Sequence, residues 1–504
     1  MRKTASLTAP TGGWNARDPL DDMPEKDASL LQNWWPVPYG VQMRKGYTNY
    51  ATGLPSQVNT LMAYNAGSSS KLFAASGTAF YDVTAGGAVG APVVTGLTND
   101  KWGYANISTP GGNFLYAANG NDAPRLYNGT TWTAITGVSA PAITGVTTTL
   151  LQHPYVAKTR MWFIEKNSLR VWYLPVNSVG GAASSLDFGS VFRRGGYLVS
   201  MASWTVDGGF GIKDLTVFAT SEGEVAIYEG YDPSSASNWS LNGLYVTGSP
   251  MGERCFHKYG SDLLFINREG IMPMSQGRFF AELGEKGSIT DKIQHAYSDA
   301  TSAYNINFGW QIALYPDAGM LIFNVPVALG QQEQYCMNTL TGAWGRFTGW
   351  AANCWELFRN DVYFGGNGIV AKAWYGQDDN GAQILCDCKQ AFSYFGMRGS
   401  KKRFHLMRPM LQSNGNPAIS ASVNTDFDDT NPSALLTFTG TNAGAWDSAI
   451  WDSSTWGASV NVKSNWQGLT GIGYNAAIRL KCAAKGIDVT WLSTDIVFES
   501  GGTL

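Results

Sequence analysis

From about residue 70 onward the chain repeats one gesture. An apolar strand-like run meets a turn containing Gly or Asn, and a second apolar run follows. It reads KLFAASGTAFYDV, NFLYAANGNDAPRLYNGTTW, MWFIEKNSLRVWYL, LTVFATSEGEVAIYEG, LLFINREGIM, MLIFNVPVALGQQEQYCM and DVYFGGNGIVAKAWYG. Each is a hairpin signal, because Gly and Asn supply the positive φ that tight turns need. With Leu72, Phe114, Trp162, Leu215, Leu263, Leu321 and Val362 as phase markers, the intervals are 42, 48, 53, 48, 58 and 41 residues. A four-stranded propeller blade occupies about 40 to 50 residues. The spacing therefore predicts a mainly β chain built on a β-propeller of six or seven blades.

Composition agrees. Glycine reaches 59 of 504 residues and charged residues only 14%, against about 7% and about 25% in ordinary domains. Such a chain has many turns. Aromatic and β-branched side chains lose rotamer freedom in helices and favour pleated surfaces. Several cycles end in a turn followed by tryptophan, as in YNGTTW and NTLTGAW, and a large ring at that phase fills the gap between neighbouring sheets.

One helical pattern interrupts the repeat. In SITDKIQHAYSDA, Thr290 is placed to cap, Asp291 suits the positive helix end, and Ile293, Ala296, Tyr297 and Ala300 share one face. A short surface helix is expected there. After about Gly376 the texture changes to a basic stretch, MRGSKKRFHLMRP, followed by alternating runs such as ISASVNTDF, AAIRLKCAA and IDVTWLSTDIVFES. Period-two alternation broken by Asn, Gly and Pro predicts a separate antiparallel sandwich. The division expected is an arm and first strand at 1–50, packed on the C-terminal domain, a propeller at 51–378, and a β-sandwich-like platform at 379–504.

The search for chemistry is mostly negative. The sequence has no G-x-S-x-G elbow, H-E-x-x-H, Walker A loop or EF-hand loop. His153, His257, His295 and His405 lack metal spacing, and Cys386-x-Cys388 lacks the second pair that zinc requires. Cys255, Cys336, Cys354, Cys386, Cys388 and Cys482 read as free buried thiols. GIGYNA matches a dinucleotide fingerprint formally, but it lies between apparent strands without the helix that would hold a pyrophosphate. Glu165, Glu224 and Glu269 are the carboxylates a propeller could bring to its axis for glycoside chemistry. The reading is not an enzyme, with no catalytic, cofactor or metal residues assigned.

The net charge of −3 and a pI near 5.9 give no overall basic field for gripping phosphates. A local cluster, Arg398, Lys401, Lys402, Arg403 and Arg408, is placed to touch DNA or an acidic partner, or to guard a strand edge. No run approaches the about 20 apolar residues needed to cross a bilayer. Arg2 and Lys3 precede no apolar run, so a soluble protein made in a cytoplasm is expected.

The leader GGWNARDPLDDMPEKDASLLQNWWPVPYGVQMRKGY sets large rings among acids, prolines and glycines. It resembles the leader of tail-nozzle and hub proteins of short-tailed bacteriophages. The match runs through Gly12, Gly13, Asn15, Asp18, Met23, Pro24, Asn33, Trp34, Pro36, Arg44 and Gly46, and departs at Trp35, where one aromatic is expected. The likeness continues in ITDKIQ, KKRFHLMRP and WLSTDIVFESGGTL, touching both ends and the middle of the chain.

The resemblance implies a structural virion protein of the tail, assembled in a host bacterial cytoplasm. It forms a ring, a hexamer, below portal and adaptor, meets tail fibre or spike proteins, closes the exit and touches double-stranded DNA transiently in the lumen. No cofactor is implied. Trp14, Trp34 and Trp35 then read as anchors buried against the C-terminal domain or a neighbouring subunit, with Arg44, Trp446, Trp451 and Trp456 as further interface residues. The competing reading is a propeller lectin or receptor-binding virion protein, supported by the aromatics of WDSAIWDSSTW; a glycosidase comes third.

Overall fold

In the computed structural model, residues 2–207, 212–277, 287–432, 435–436 and 461–503 are described. The strand Tyr47–Tyr64 is the key to the architecture. Its first half pairs with Asn367–Ala373, Tyr47 lying opposite Ala373, while its second half pairs with Lys71–Ser76, Val58 lying opposite Ser76. One strand thus joins the end of the repeat to its beginning.

Between those ends run successive antiparallel meanders. The sheets Gly103–Ala134, Leu151–Asp187 and Leu198–Val246 have four strands each. Among the described residues a sheet of three strands begins at Phe256, the four strands that begin at Gln311 head a nine-stranded sheet that runs on into the arm and the C-terminal strands, and the last hairpins begin at Cys354. The first strand of each meander touches the first strand of the next, and Cys354–Phe358 touches Tyr47–Tyr64, closing the ring. This is the arrangement of a β-propeller. Closing the ring through a shared strand removes the open edges a linear array would leave.

Not every turn follows the glycine rule. Lys158 and Thr159 (φ 52° and 56°), and Arg359 and Asn360 (φ 51° and 65°), carry two hairpins through the left-handed region, the geometry that matches strand twist. The gaps between sheets hold aromatic clusters. Trp132 meets Phe73 and Phe80 of the preceding sheet at ring distances of 5.1 and 5.2 Å, and Trp162 stacks on Trp239 at 5.8 Å.

The helical pattern forms a 3-10 turn, Asp291–Ile293, and an α-helix, Gln294–Tyr304. One expectation is corrected. Thr290 makes no side-chain cap; its hydroxyl is buried and accepts the Ile271 N–H at 3.2 Å. The helix lies at the surface as expected, with Ile293, Tyr297 and Ala300 buried, its inner side packed on Met320–Ala328, and His295, Ser298, Asp299 and Ser302 exposed.

The C-terminal strands form two sheets facing one core. In one, Ile384–Gln390, Ala476–Ala484 and Ala418–Thr425 are joined by the arm strand Asp27–Gln32, which also reaches Trp344–Phe347 through Gln32 and Arg346. In the other, Ser400–Ser413 and Val489–Thr503 are joined by three arm strands, Arg2–Thr8, Trp34–Val37 and Gly40–Met43. Phe404, Leu411, Ile478, Leu480 and Trp491 lie in the buried cluster between the sheets. GIGYNA is strand and turn within this region, with no helix to receive a pyrophosphate. All six cysteines are free and buried.

Candidate functional site

The leader motif forms a joint between the ring and the C-terminal sheets. Gly13 (φ 85°) runs so close to Trp344 that a Cβ would lie 2.6 Å from its carbonyl oxygen, and at Gly46 a Cβ would lie 1.6 Å from that of Asp378. Only glycine fits either place. The Asn15 amide donates to Asp18 and Asp27, both at 2.8 Å. Lys292, from the ITDKIQ segment, donates to Gly12 O at 2.6 Å and to Asp27 at 2.7 Å. The Asp18 carboxyl is held below its usual range, first by the bond from Arg17 and then by that from Asn15.

Arg44 is the centre of the joint and is fully buried. Its five N–H groups all find acceptors: Asn33 Oδ1 at 2.9 Å, Lys45 O at 2.9 Å, Thr348 O at 2.6 Å, and the two Asp379 oxygens at 2.8 and 2.6 Å. The guanidinium also lies 4.8 Å from the Trp350 ring centroid. Asn33, in the left-handed region at φ 58°, donates to Thr348 Oγ1 at 3.0 Å and Leu385 O at 2.7 Å. Such a pair is favourable only because every hydrogen bond is satisfied.

The aromatic anchors divide between two clusters. Trp34 belongs to the large one in which the C-terminal sheets meet ring residues such as Phe323 and Trp344, whereas Trp35 joins Phe347, Trp350 and Trp355 of the ring. Adjacent strand residues point to opposite faces, so the paired tryptophans bolt the arm to both sides. Trp14 packs edge-on against Tyr335 at 5.1 Å. Trp14, Trp34, Trp35 and Arg44 are all buried in this chain's own core, which for the tryptophans is the intrachain one of the two placements expected. Trp446, Trp451 and Trp456 lie outside the described residues.

The basic cluster is also divided. Lys402 is fully buried, donating to Met397 O at 2.6 Å, Ser400 O at 3.0 Å and Tyr474 O at 2.7 Å, and burial lowers its pKa. It is structural, not the partner contact expected. Arg408 pairs with Asp495 at 2.6 Å. Arg398, Lys401 and Arg403 are exposed.

The carboxylates considered for glycoside chemistry are tied locally. Glu165 accepts from Trp172 Nε1 at 2.7 Å, Glu224 accepts the Arg193 and Arg194 N–H groups at 2.9 and 2.8 Å, and Glu269 is exposed on a turn.

The ring axis instead gathers residues that no sequence motif marks. Arg254 reaches from the edge of one sheet to the opposite side, donating to Asn59 O and Thr60 Oγ1, both at 3.0 Å, and to Gln311 Oε1 at 3.2 Å. Its guanidinium lies 5.0 Å from the Phe308 ring centroid. The Tyr104 hydroxyl donates to the Glu356 carboxylate. Burial pushes the Glu356 carboxyl up to about 7, against the opposing pull of Tyr104 and Arg254. Burial also lowers His257 to about 4. A cavity of about 420 Å³ beside Tyr104, His257, Gln311 and Glu356 occupies part of the axis. Beside this cavity, side chains bridge the axis: Arg254 reaches Asn59 O and Tyr104 reaches Glu356.

The raised carboxyl has a testable consequence. A glutamate whose folded pKa exceeds its unfolded value contributes stability that is complete at low pH and lost as pH rises through the folded pKa. Between about pH 4.5 and about 7 the melting temperature of the wild type should therefore fall more than that of Glu356→Gln. Parallel pH profiles by calorimetry would contradict this assignment.

No protein-family model and no curated protein matches the chain. Among solved structures it is similar to BBS1N, crystallised in complex with ARL6DN and soaked with mercury, at 9% identity and a TM-score of 0.39, covering 65% of this chain and 96% of that one. It is also similar to the Cps50 (Swd1) β-propeller domain of Myceliophteria thermophila, at 10% identity and a TM-score of 0.40, covering 65% of this chain and 98% of that one. Among the described residues no helix is long and apolar enough to cross a membrane.

Proposed function

We propose that this chain is a structural subunit of a phage tail nozzle, a seven-bladed propeller braced by its N-terminal arm against a C-terminal β-sandwich platform. The observation that carries the reading is the joint. The leader residues that resemble the nozzle family, Gly13, Asn15, Asp18, Asn33, Trp34, Arg44 and Gly46, include those that lock arm, ring and C-terminal sheets together through Arg44 and Asp379 and through Lys292 and Asp27. In this reading the motif is an architectural one, preserving a rigid joint under load and needing no catalytic group.

The bridged axis supports one refinement. Arg254 and the Tyr104–Glu356 pair cross it, so genomic DNA does not travel through the propeller. The channel lies between copies, in the lumen of a ring docked below portal and adaptor. Negative-stain imaging of the purified chain, alone and mixed with tailless heads, tests this. Rings with a central lumen on the heads are expected. A chain that ignores the heads and binds glycans as a monomer overturns the nozzle in favour of a lectin.

A further inference from the structure

The cavity beside the Tyr104–Glu356 bridge is walled by the first strands of separate meanders. Phe256–Tyr259 brings His257, Gln311–Tyr315 brings Gln311 and Leu314, Cys354–Phe358 brings Glu356 and Leu357, and Gly103–Thr109 brings Tyr104. The cavity holds about 420 Å³, and His257 also borders a second one of about 250 Å³. Volumes of this order accept a small molecule.

The polar groups of this wall divide into committed and free. Gln311 is committed: its oxygen accepts from Arg254 and from Trp355 N, both at 3.2 Å, and its amide donates to Trp355 O at 2.9 Å. Arg254 is held by Gln311, Asn59 O and Thr60 Oγ1. Among the described residues His257 makes no hydrogen bond or ion pair, and Glu356 has the Tyr104 hydroxyl as its side-chain partner with no cation at ion-pair distance. An ionised carboxylate offers about four lone-pair sites and no donor, and a neutral imidazole offers one acceptor. The unused capacity of the wall is therefore mainly for accepting hydrogen bonds. Beyond these groups Leu314, Leu357 and Val362 make it apolar.

We infer that this chamber binds a small primary ammonium ion carried on an apolar body. An ammonium has three donors and no acceptor, which complements Glu356 and His257, while its hydrocarbon part complements the apolar wall. The groups that face Glu356 are Tyr104, Arg254 and His257; Glu253 borders the second cavity instead. Burial holds the Tyr104 hydroxyl protonated and lowers His257 to about 4, so neither changes charge near neutral pH. Glu356, raised by burial to about 7, does. Its ionised fraction goes from about one tenth at about pH 6 to about nine tenths at about pH 8, and affinity for a cation should rise about tenfold over that interval.

Isothermal titration of the full chain with hexylammonium chloride at about pH 6 and about pH 8 tests this, with hexan-1-ol and hexanoate as uncharged and anionic probes of the same body. Like a lysine side chain, the ammonium stays protonated at both values. Binding of one ion per chain is expected, about tenfold tighter at the higher pH and stronger than that of either control. Glu356→Gln should lose the pH dependence and at least about tenfold in affinity at about pH 8. Should that variant not fold, the wild-type comparison of probes and pH decides. No binding of hexylammonium, equal binding of hexan-1-ol, equal affinity at both pH values, or wild-type affinity in Glu356→Gln overturns the ammonium site.

Discussion

Replacing Arg44 with alanine should destabilise the protein by about 3–5 kcal/mol, the cost of breaking a buried ion pair from one side. The loss is large because the guanidinium satisfies both oxygens of Asp379, whose side chain is only 13% exposed, together with Asn33 and the Thr348 carbonyl. Removing it strands all of these in a dry site. Urea denaturation followed by tryptophan fluorescence would register the lowered midpoint, and limited proteolysis should find new cleavage around residues 45–47 and 376–380. Arg44→Lys should recover only part of the loss, since an ammonium cannot reproduce the planar fork. An Arg44→Met/Asp379→Leu pair, which removes both charges, should recover more than half. An Arg44→Ala midpoint within about 0.5 kcal/mol of the wild type, the range of an ordinary surface change, would remove Arg44 from the centre of the joint.

Trp34→Ala and Trp35→Ala should each cost about 3–5 kcal/mol, as expected for deleting a buried tryptophan. Their costs should add. Trp34 is fully buried with the C-terminal sheets and Trp35, 4% exposed, sits among ring residues, 6.0 Å from Phe347 and 5.7 Å from Trp374. Well-separated sites that share no partners behave independently, and opposite faces of the strand hold these two rings apart although their backbones adjoin. A double-mutant cycle on single and double variants, read by urea midpoints, measures this. A coupling above about 1 kcal/mol would mean that the two rings act as one cluster and not as two bolts. Near-normal stability of the double variant, accompanied by failure to assemble, would return both rings to an intersubunit role.

The hairpin repeat was legible because its signals are local. Turn residues and period-two apolar runs lie within a dozen positions of one another, and strand identity follows from them. The turns at Lys158–Thr159 and Arg359–Asn360 were harder to read, since neither carries glycine and strand twist imposes the left-handed backbone. The helix after Thr290 was visible as a periodic stripe, but not the surface that the stripe covers. That is Met320–Ala328, from a later part of the chain.

The candidate sites show the same division more sharply. The leader's glycines, Asn33, Arg44 and the tryptophans stand out in the sequence, yet nothing local says that Arg44 meets Asp379, 335 positions away, or that adjacent tryptophans enter different cores. The hub left no motif at all: Arg254, Tyr104 and Glu356 come from separate sheets and converge only when the ring closes through Tyr47–Tyr64. Lys402 looked like one cation of a basic run until its strand turned it inward onto three carbonyls.

By itself, the amino-acid sequence determined that this chain makes β-hairpins in series, with a distinct alternating segment at its end, because side-chain periodicity and turn chemistry act over a few residues. Tertiary structure alone decided which hairpins close the ring, which charges are buried, and which cluster each of the adjacent tryptophans enters. Those outcomes depend on register and burial between segments hundreds of residues apart, where a one-residue slip exchanges the inner and outer faces of a strand.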